Sequence, residues 1–234
     1  MQKLLSLARK AVEEFHMIED GDKIAVGVSG GKDSLSALWA LAELRRFFPA
    51  KYELHALTVD MGFGMDLSPI AAFCDTLGVP FTIVPTQMKE VIFDIRKEEN
   101  PCSLCAKMRR GAVNSTASAM GFKKVALGHH YDDAVETFLM NLIFEGRIGC
   151  FRPVTWLDRT DVTVIRPLLY AEEHILKEAA VRLSLPVVKN LCPADGHTKR
   201  QEVKDLVADL AGRYPDIKSK VLGAMKRYPL DGWE

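Results

Sequence analysis

Short apolar runs alternate with segments of helical periodicity through most of this chain, and this alternation constrains the fold most strongly. The β-rich runs occupy 23–28, 53–59, 81–84, 124–127 and 162–165. The helical patterns occupy 32–47, 69–77, 103–119, 132–144 and 172–183. Strands that alternate with helices of this length form βαβ units and a parallel sheet. We therefore predict an α/β fold, a doubly wound parallel sheet, with a core that extends to about residue 146.

The rest of the chain is predicted to be a loop followed by a helical tail. The segment 146–162 has turn residues and no sustained period, which indicates a surface loop and hinge. From Thr198 onward, two amphipathic helices separated at Pro215 are expected to pack on the core as C-terminal helices. We predict two units, an α/β domain at 1–190 and a C-terminal segment at 191–234.

Composition narrows the function classes. The 234 residues are 48% apolar, enough for a packed core, and contain 31 basic and 31 acidic residues. Such a balance gives no overall attraction to nucleic acid, so any RNA site must be a local basic patch such as 107–110 or 199–200. No run of about eighteen apolar residues occurs, and the N-terminus is an amphipathic helix pattern rather than a signal peptide. We expect a cytoplasmic protein without a membrane partner.

The stretch VGVSGGKDS at 26–34 stands between the first strand and the first core helix. Ligand phosphates bind beyond the carboxyl ends of parallel strands, where glycines let backbone N–H groups approach an anion. The predicted phosphate-binding residues are Ser29, Gly30, Gly31, Lys32, Asp33 and Ser34.

Two common phosphate loops do not match this stretch. A Walker A loop needs Gly six residues before its Lys and Ser or Thr directly after, where this chain has Val26 and Asp33. A dinucleotide fingerprint needs Gly where Ser29 stands. The loop instead resembles the pyrophosphate loop of the N-type ATP pyrophosphatases. That resemblance implies a purine site at LTVDMGF (57–63), with Asp60 as a metal contact.

The five cysteines are Cys74, Cys102, Cys105, Cys150 and Cys192. An odd number without a secretory signal favours ligands or free thiols over disulfides. The Cys102–Cys105 CxxC pair is compatible with a redox pair, half of a zinc site or iron–sulfur ligands. Cys192, 87 residues beyond Cys105 (192 − 105), is followed by Pro193. Three cysteines would leave one iron of a [4Fe–4S] cube without a protein ligand.

A second polar motif, LGHHYDD, follows the fourth predicted strand. Gly128 ends that strand, His129 is a candidate phosphate or nucleotide contact, and Asp132 is a candidate general base or metal contact. Helix capping is the alternative for the acids of this motif. Arg166, at the end of the next strand, either neutralises phosphate charge or forms a surface ion pair.

In this order, SGGKDS, CSLCAKMRRG, LGHHYDD, IRPLLY and NLCPADG resemble the motifs of the TtcA family, the tRNA 2-thiocytidine synthetases of the PP-loop superfamily. The resemblance runs from about residue 20 to the end. It implies an adenine nucleotide alpha hydrolase-like fold and an ATP-dependent sulfurtransferase. ATP would adenylate the C2 oxygen of cytidine 32 in the tRNA anticodon loop, and sulfur would then replace that oxygen.

The same resemblance implies the cofactors, partners and site residues. A [4Fe–4S] cluster would be held by Cys102, Cys105 and Cys192, and Asp132, Arg109 and Lys32 would be catalytic. ATP and Mg²⁺ would be bound by Ser29, Gly30, Gly31, Lys32, Asp33, Ser34, Asp60, Gly128, His129 and Arg166. The expected partners are tRNA and a sulfur donor such as a cysteine desulfurase, and a homodimer is compatible with the sequence.

Other functions fit parts of the pattern. An amide ligase like the tRNA lysidine synthetases would use the same loop but no cysteines. A non-catalytic scaffold would bind nucleotide without forming AMP. Cluster-dependent thiolation of another base or small molecule remains open, as does removal of sulfur from a thiolated one, which would not need ATP.

Overall fold

The computed structural model describes residues 1–98, 101–189, 191–192, 199–228, 230 and 232–233. The strands are β1 (Asp22–Gly27), β2 (Tyr52–Asp60), β3 (Phe81–Pro85), β4 (Lys124–Ala126), β5 (Val154–Leu157) and β6 (Val162–Ile165). The α-helices are α1 (Gln2–Glu14), α2 (Lys32–Leu44), α3 (Ser68–Thr76), α4 (Pro101–Ala119), α5 (Tyr131–Glu145), α6 (Glu173–Arg182), α7 (Lys199–Arg213) and α8 (Ile217–Arg227). A π-helix covers Glu90–Ile95. Within the described ranges, no helix combines the length and apolar character needed to cross a membrane.

The six strands form one sheet in the order β3-β2-β1-β4-β6-β5. All neighbours are parallel except β5, which pairs antiparallel with β6. Strand order reverses between β1 and β4, because β2 and β3 lie on one side of β1 and the later strands on the other. The α/β prediction of a doubly wound sheet is confirmed.

Helices cover both faces of the sheet, as the alternation of side chains along β1 requires. Ile24 and Val26 are fully buried in the core cluster that contains Leu38 of α2. Ala25, between them, is buried on the opposite face with Val113 of α4. The central strand is therefore apolar throughout rather than alternating.

The predicted loop at 146–162 is wrong in part, because β5 lies within it at Val154–Leu157. The predicted limit of the core near residue 146 is also wrong, since β6 lies between β4 and β5. Strand β5 has four residues and is an edge strand whose Trp156 is 62% exposed. A short, half-exposed edge strand has neither the length nor the apolar run by which strands are recognised.

The two predicted tail helices are present as α7 and α8, with Pro215 between them. Leu222 and Met225 of α8 are buried in the same core cluster as β1. The predicted division of the chain at 190/191 stays a prediction. Pro193, which the sequence analysis places after Cys192, lies outside the described residues.

Gly128 gives a direct test of this packing. A Cβ atom there would lie 2.8 Å from the backbone carbon of Asp33 and the backbone nitrogen of Ser34. Because backbone cannot move aside as a side chain can, we expect Gly128→Ala to lower the free energy of unfolding by about 1–3 kcal/mol. Gly212→Ala, inside α7 with open space around it, is the control and should not destabilise. Chemical denaturation of both variants measures this, and equal stabilities would contradict the contact.

Candidate functional site

The ends of β1 and β4 bring two predicted motifs together. The glycine-rich loop follows β1, and Gly128 follows β4 in contact with the backbone at the start of α2. The gap between neighbouring strands at a reversal of strand order is where open α/β sheets bind ligands. The candidate site is therefore at the carboxyl edge of the sheet.

Serine hydroxyls hold the glycine-rich loop in shape. The Ser29 N–H donates to Ser34 Oγ at 3.0 Å, and Ser34 Oγ donates to the Gly31 carbonyl at 3.0 Å. Gly30 has a φ of +81°, and a Cβ there would come within 3.3 Å of Val188. Helix α2 begins directly after Gly31, so its free N–H groups and the positive end of its dipole face this edge.

A cavity of about 550 Å³ lies at this edge, a volume suited to a nucleotide. It is bordered by β1, β2 and their following loops, by α4, and by the residues after β4. The predicted site residues that line it are Ser29, Asp33, Ser34, Arg109, Gly128, His129 and Arg166. The predicted residues outside its lining are Gly30, Gly31, Lys32, Asp60, Asp132 and the cysteines Cys102, Cys105 and Cys192.

Lys32 is held beside the cavity by two carboxylates. Its Nζ lies 3.1 Å from Asp33 Oδ1 and 3.2 Å from Glu173 Oε1. Burial acts to lower the pKa of Lys32, but the two carboxylates outweigh it and raise that pKa above its usual value. Lys32 is therefore a charged ammonium. An anion that binds beside it can change the direction of its side chain.

Glu173 is a functional residue that sequence reasoning missed. Besides Lys32, its carboxylate binds Lys204 of α7 at 2.9 Å and Lys177 at 3.2 Å. Burial opposes ionisation, yet these lysines hold the pKa of Glu173 at about 2. Its position in the first turn of α6 resembles ordinary helix capping in the sequence, so no local signal marks it.

His129 is an uncharged imidazole in the cavity wall. Burial, reinforced by the positive charge of Arg166, lowers its pKa to about 4. Its ring lies 5.0 Å from the ring of Phe151, and its Nδ1 is buried without a hydrogen-bond partner among the described residues. A neutral imidazole here can donate or accept a hydrogen bond without adding charge.

Arg166 is a buried cation in the cavity wall. It is 8% exposed, donates from Nη1 to the Arg152 carbonyl and to Thr155, and stacks 4.9 Å from the Phe151 ring centre. Its Nε is buried without a partner, and in the described part of the chain no carboxylate lies within ion-pair distance. Burial lowers the pKa of Arg166 to about 10, so the guanidinium stays charged. An anion in the cavity would satisfy it.

Both carboxylate oxygens of Asp132 accept hydrogen bonds from other helices. Oδ1 accepts from Lys218 Nζ of α8 at 2.6 Å, and Oδ2 accepts from the Glu173 N–H at 2.7 Å. Burial opposes ionisation of Asp132, but these donors lower its pKa. In this arrangement Asp132 joins α5, α6 and α8, and its predicted catalytic role stays a prediction.

Arg200 of α7 reaches the cavity wall from the tail. It donates to Asp133 at 3.1 Å, to Glu136 at 3.2 Å and to the Thr137 hydroxyl at 3.3 Å. Asp133 also accepts from the His130 N–H at 3.0 Å, which is the capping role that the sequence allowed. The sequence marked Arg200 only as part of a basic patch, because its three partners are more than sixty residues away.

Asp60 lies at the end of β2. Its Oδ1 accepts from the Gly62 N–H at 2.9 Å, which closes the turn after the strand. Asp33 follows the neighbouring strand β1 at the same edge. Mg²⁺ is usually bound by one or two carboxylates together with substrate phosphates, and Asp33 and Asp60 could supply them.

Cys102 and Cys192 are close enough to Cys105 for their charges to act on its thiol. Burial raises the pKa of Cys105, Arg109 acts against it, and the negative charges of Cys192 and Cys102 raise it further. Among the described His, Cys, Asp and Glu residues, no group of three converges on a point where a single ion would be held. A cubane cluster binds each cysteine to a different iron, so its ligands need not converge in that way. Cysteine thiolates are the usual protein ligands of such a cluster, so the residue types fit it.

Met61 connects the cysteines to the cavity. It lines the cavity, and its sulfur lies 3.7 Å from Cys105 Sγ. Helix α4 makes a second connection, since it carries Cys102 and Cys105 at its start and lines the cavity with Arg109 one turn later.

Comparisons with known proteins agree with this geometry. A family model described as a PP-loop domain matches residues 4–208. The tRNA-cytidine(32) 2-sulfurtransferase of Pelobacter propionicus is 39% identical over 228 residues, covering 96% of this chain and 85% of that protein. The protein of the same name from Geobacter sulfurreducens is 39% identical, covering 98% and 93%. The structure of the U34-tRNA thiolase NcsA from Methanococcus maripaludis, with its [4Fe–4S] cluster, matches with a TM-score of 0.77 and 27% identity, over 95% of this chain and 77% of that one.

Glu173 offers a test of the ionic network. Glu173→Gln should lower the free energy of unfolding by about 1–2 kcal/mol, because Lys32 and Lys204 lose a shared, half-buried counter-charge. Glu178→Gln is the matched control, since Glu178 pairs with Arg182 on the exposed side of the same helix. Urea titration of both variants measures the difference, and equal losses would show that the network contributes no more than a surface pair.

The pKa of His129 predicts a pH dependence. Between its ordinary value of 6.5 and about 4, the unfolded chain takes up a proton on His129 that the folded chain does not. The free energy of unfolding should therefore fall as pH is lowered through this window. In His129→Gln that contribution is absent, so the variant should lose less stability than the wild type between pH 6.5 and 4. If the wild type and the variant lost the same stability between pH 6.5 and 4, His129 would not be a neutral, buried group.

Proposed function

This chain belongs to the PP-loop family and, within it, to the tRNA-cytidine(32) 2-sulfurtransferases, and from that premise we propose that it replaces the C2 oxygen of a tRNA anticodon-loop cytidine with sulfur. The reaction is ATP-dependent. The observation that carries the proposal is the shared position of Met61, which lines the cavity and contacts Cys105. A nucleotide site and a thiol site are thus separated by one side chain.

The phosphates of ATP are assigned to the glycine-rich loop and its surroundings. The N-terminus of α2 and the Lys32 ammonium would hold the β- and γ-phosphates, and Asp33 and Asp60 would hold Mg²⁺. Because Glu173 Oε1 lies 3.2 Å from Lys32 Nζ, pyrophosphate would compete with Glu173 for this ammonium. Arg166 would neutralise a phosphate deeper in the cavity.

The chemistry follows from this placement. The C2 oxygen of the base attacks the α-phosphorus, an oxygen–phosphorus bond forms, and pyrophosphate leaves. The incoming sulfur then attacks C2, and the C2–O bond breaks as AMP departs with the former base oxygen. Arg166 stabilises negative charge as it develops at the α-phosphate, and neutral His129 supplies a hydrogen bond without repelling that charge.

Cys102, Cys105 and Cys192 would hold the [4Fe–4S] cluster. When bound, such a cluster supplies one iron without a cysteine ligand, where inorganic sulfide can be carried. Arg109 lies near Cys105 and lines the cavity, so its positive charge would favour the thiolate form of that cysteine and attract the RNA. The solved structure of NcsA, a tRNA thiolase with its [4Fe–4S] cluster, supports this assignment.

The partners follow from the reaction. The tRNA is the substrate, and sulfur must come from a donor such as a cysteine desulfurase. A tRNA substrate fits the cytoplasmic location that the sequence favours. A homodimer stays a prediction.

Cysteine variants test the proposal. Cys102→Ala, Cys105→Ala and Cys192→Ala should each abolish 2-thiocytidine in tRNA and remove the visible iron–sulfur absorbance of anaerobically purified protein. Cys74→Ala is the matched control, because Cys74 is fully buried in the main core cluster, away from the cavity lining. Nucleoside mass spectrometry of tRNA from a deletion strain that carries each variant measures the product.

Three outcomes would contradict the proposal. They are a colourless, zinc-loaded anaerobic protein, full activity in the triple cysteine variant, and thiolation that proceeds without AMP formation. If the retained activity in the second result is AMP formation without thiolation, it would instead favour an amide ligase. The third result would favour an ATP-independent thiolation.

A further inference from the structure

A second cavity adjoins the first on the side of the β5–β6 hairpin. Its volume is about 390 Å³, and four residues belong to the walls of both cavities: Arg110, Asn114, Leu127 and Arg166. The two spaces therefore meet at these side chains. The proposed function uses Arg166 but leaves the second cavity and Asn114 without a role.

Asn114 is an unexplained polar residue at this junction. It lies inside α4, where asparagine is unfavourable, and it is only 9% exposed. Its amide makes no hydrogen bond to any residue that the structure describes, although its side chain faces both cavities. Its amide atoms are open to the two cavities rather than sealed in the core. A ligand group at the junction can therefore donate to and accept from them.

The mouth of the second cavity is basic. Lys107, Arg110 and Arg159 line it, are exposed, and have no carboxylate within ion-pair distance in the described part of the chain. The one acidic residue in this wall, Asp158, accepts a hydrogen bond from the Arg159 backbone N–H at 2.8 Å. Helix α4 as a whole contains three cations and no acid. In a chain with 31 charges of each sign, this is a local excess suited to phosphates.

We propose that the second cavity holds the target pyrimidine base of the RNA, that the Asn114 amide binds its Watson–Crick edge, and that Lys107, Arg110 and Arg159 contact the flanking phosphates. This inference rests on the proposed function, since it names where that reaction's RNA substrate binds. It requires the base to be turned out of the anticodon-loop stack, as other enzymes that modify bases require.

The chemistry of cytosine matches this arrangement. The Asn114 amide can donate to N3 and accept from the N4 amino group, which leaves the C2 oxygen free to react. Leu127 and Leu157 offer apolar surface to the faces of the ring. Because Arg166 belongs to both walls, an α-phosphate bound to it would lie next to a base in the second cavity. The attacking oxygen and the phosphorus would then meet at the junction.

Asn114→Ala in the reconstituted holoenzyme tests the base contact. We expect kcat/KM for thiolation of a tRNA transcript to fall by about 10–100-fold, the loss typical of a buried hydrogen-bonding group. Affinity for ATP and the iron and sulfide content should stay within about twofold of wild type. Ser115→Ala is the matched control, because Ser115 is the next residue of α4 and lies on its exposed side.

Lys107→Ala and Arg159→Ala test the phosphate contacts. Each should raise KM for tRNA several-fold with little change in kcat. Lys23→Ala is the control, because Lys23 is an exposed cation at the opposite edge of the sheet, paired with Glu53.

The outcomes separate this inference from the proposed function. A wild-type rate of thiolation in Asn114→Ala would overturn the inference and leave the proposed function intact. Parallel loss of ATP binding, cluster content and thermal stability in Asn114→Ala would also overturn it, because Asn114 would then be a structural residue. Failure of the wild-type holoenzyme to form 2-thiocytidine would overturn both.

Discussion

The reversal of strand order between β1 and β4 is the constraint on which the site depends. The connections from these neighbouring strands leave in opposite directions, which opens a gap at the carboxyl edge of the sheet. The gap is kept narrow by backbone contact, since a Cβ atom at Gly128 would lie 2.8 Å from the start of α2. The N-terminus of α2 can face a phosphate only because this contact fixes it there.

Ionic contacts extend the site from the sheet edge into the tail. Glu173 binds Lys32 beside the glycine-rich loop and Lys204 on α7, while its backbone N–H donates to Asp132, which in turn binds Lys218 on α8. A single half-buried network thus links the phosphate loop to both C-terminal helices. The same charged groups therefore fix the position of Lys32 and the positions of α7 and α8.

The sequence predicted the parts of this molecule whose signals are local. SGGKDS, the CxxC pair and the alternation of strands and helices are short patterns, and each corresponds to a structural element. Strand β5 was missed because it is short and exposed. Glu173 and Asn114 were missed, and Arg200 was marked only as part of a basic patch, because their roles come from partners or cavities that are distant in sequence. An asparagine in the middle of a helix was the one visible signal for Asn114.

The unpaired cations of α4 have a consequence for how RNA is held and released. A protein with no net charge attracts RNA through local groups of cations such as these, so binding should release few counterions and weaken only slightly as the salt concentration is raised. Non-cognate RNA, which lacks a base in the second cavity, would be held by the same few phosphate contacts alone and would dissociate quickly. The choice between cognate and non-cognate tRNA then depends on whether the base binds in the second cavity. A surface with no net charge lets the enzyme bind and release many tRNAs quickly.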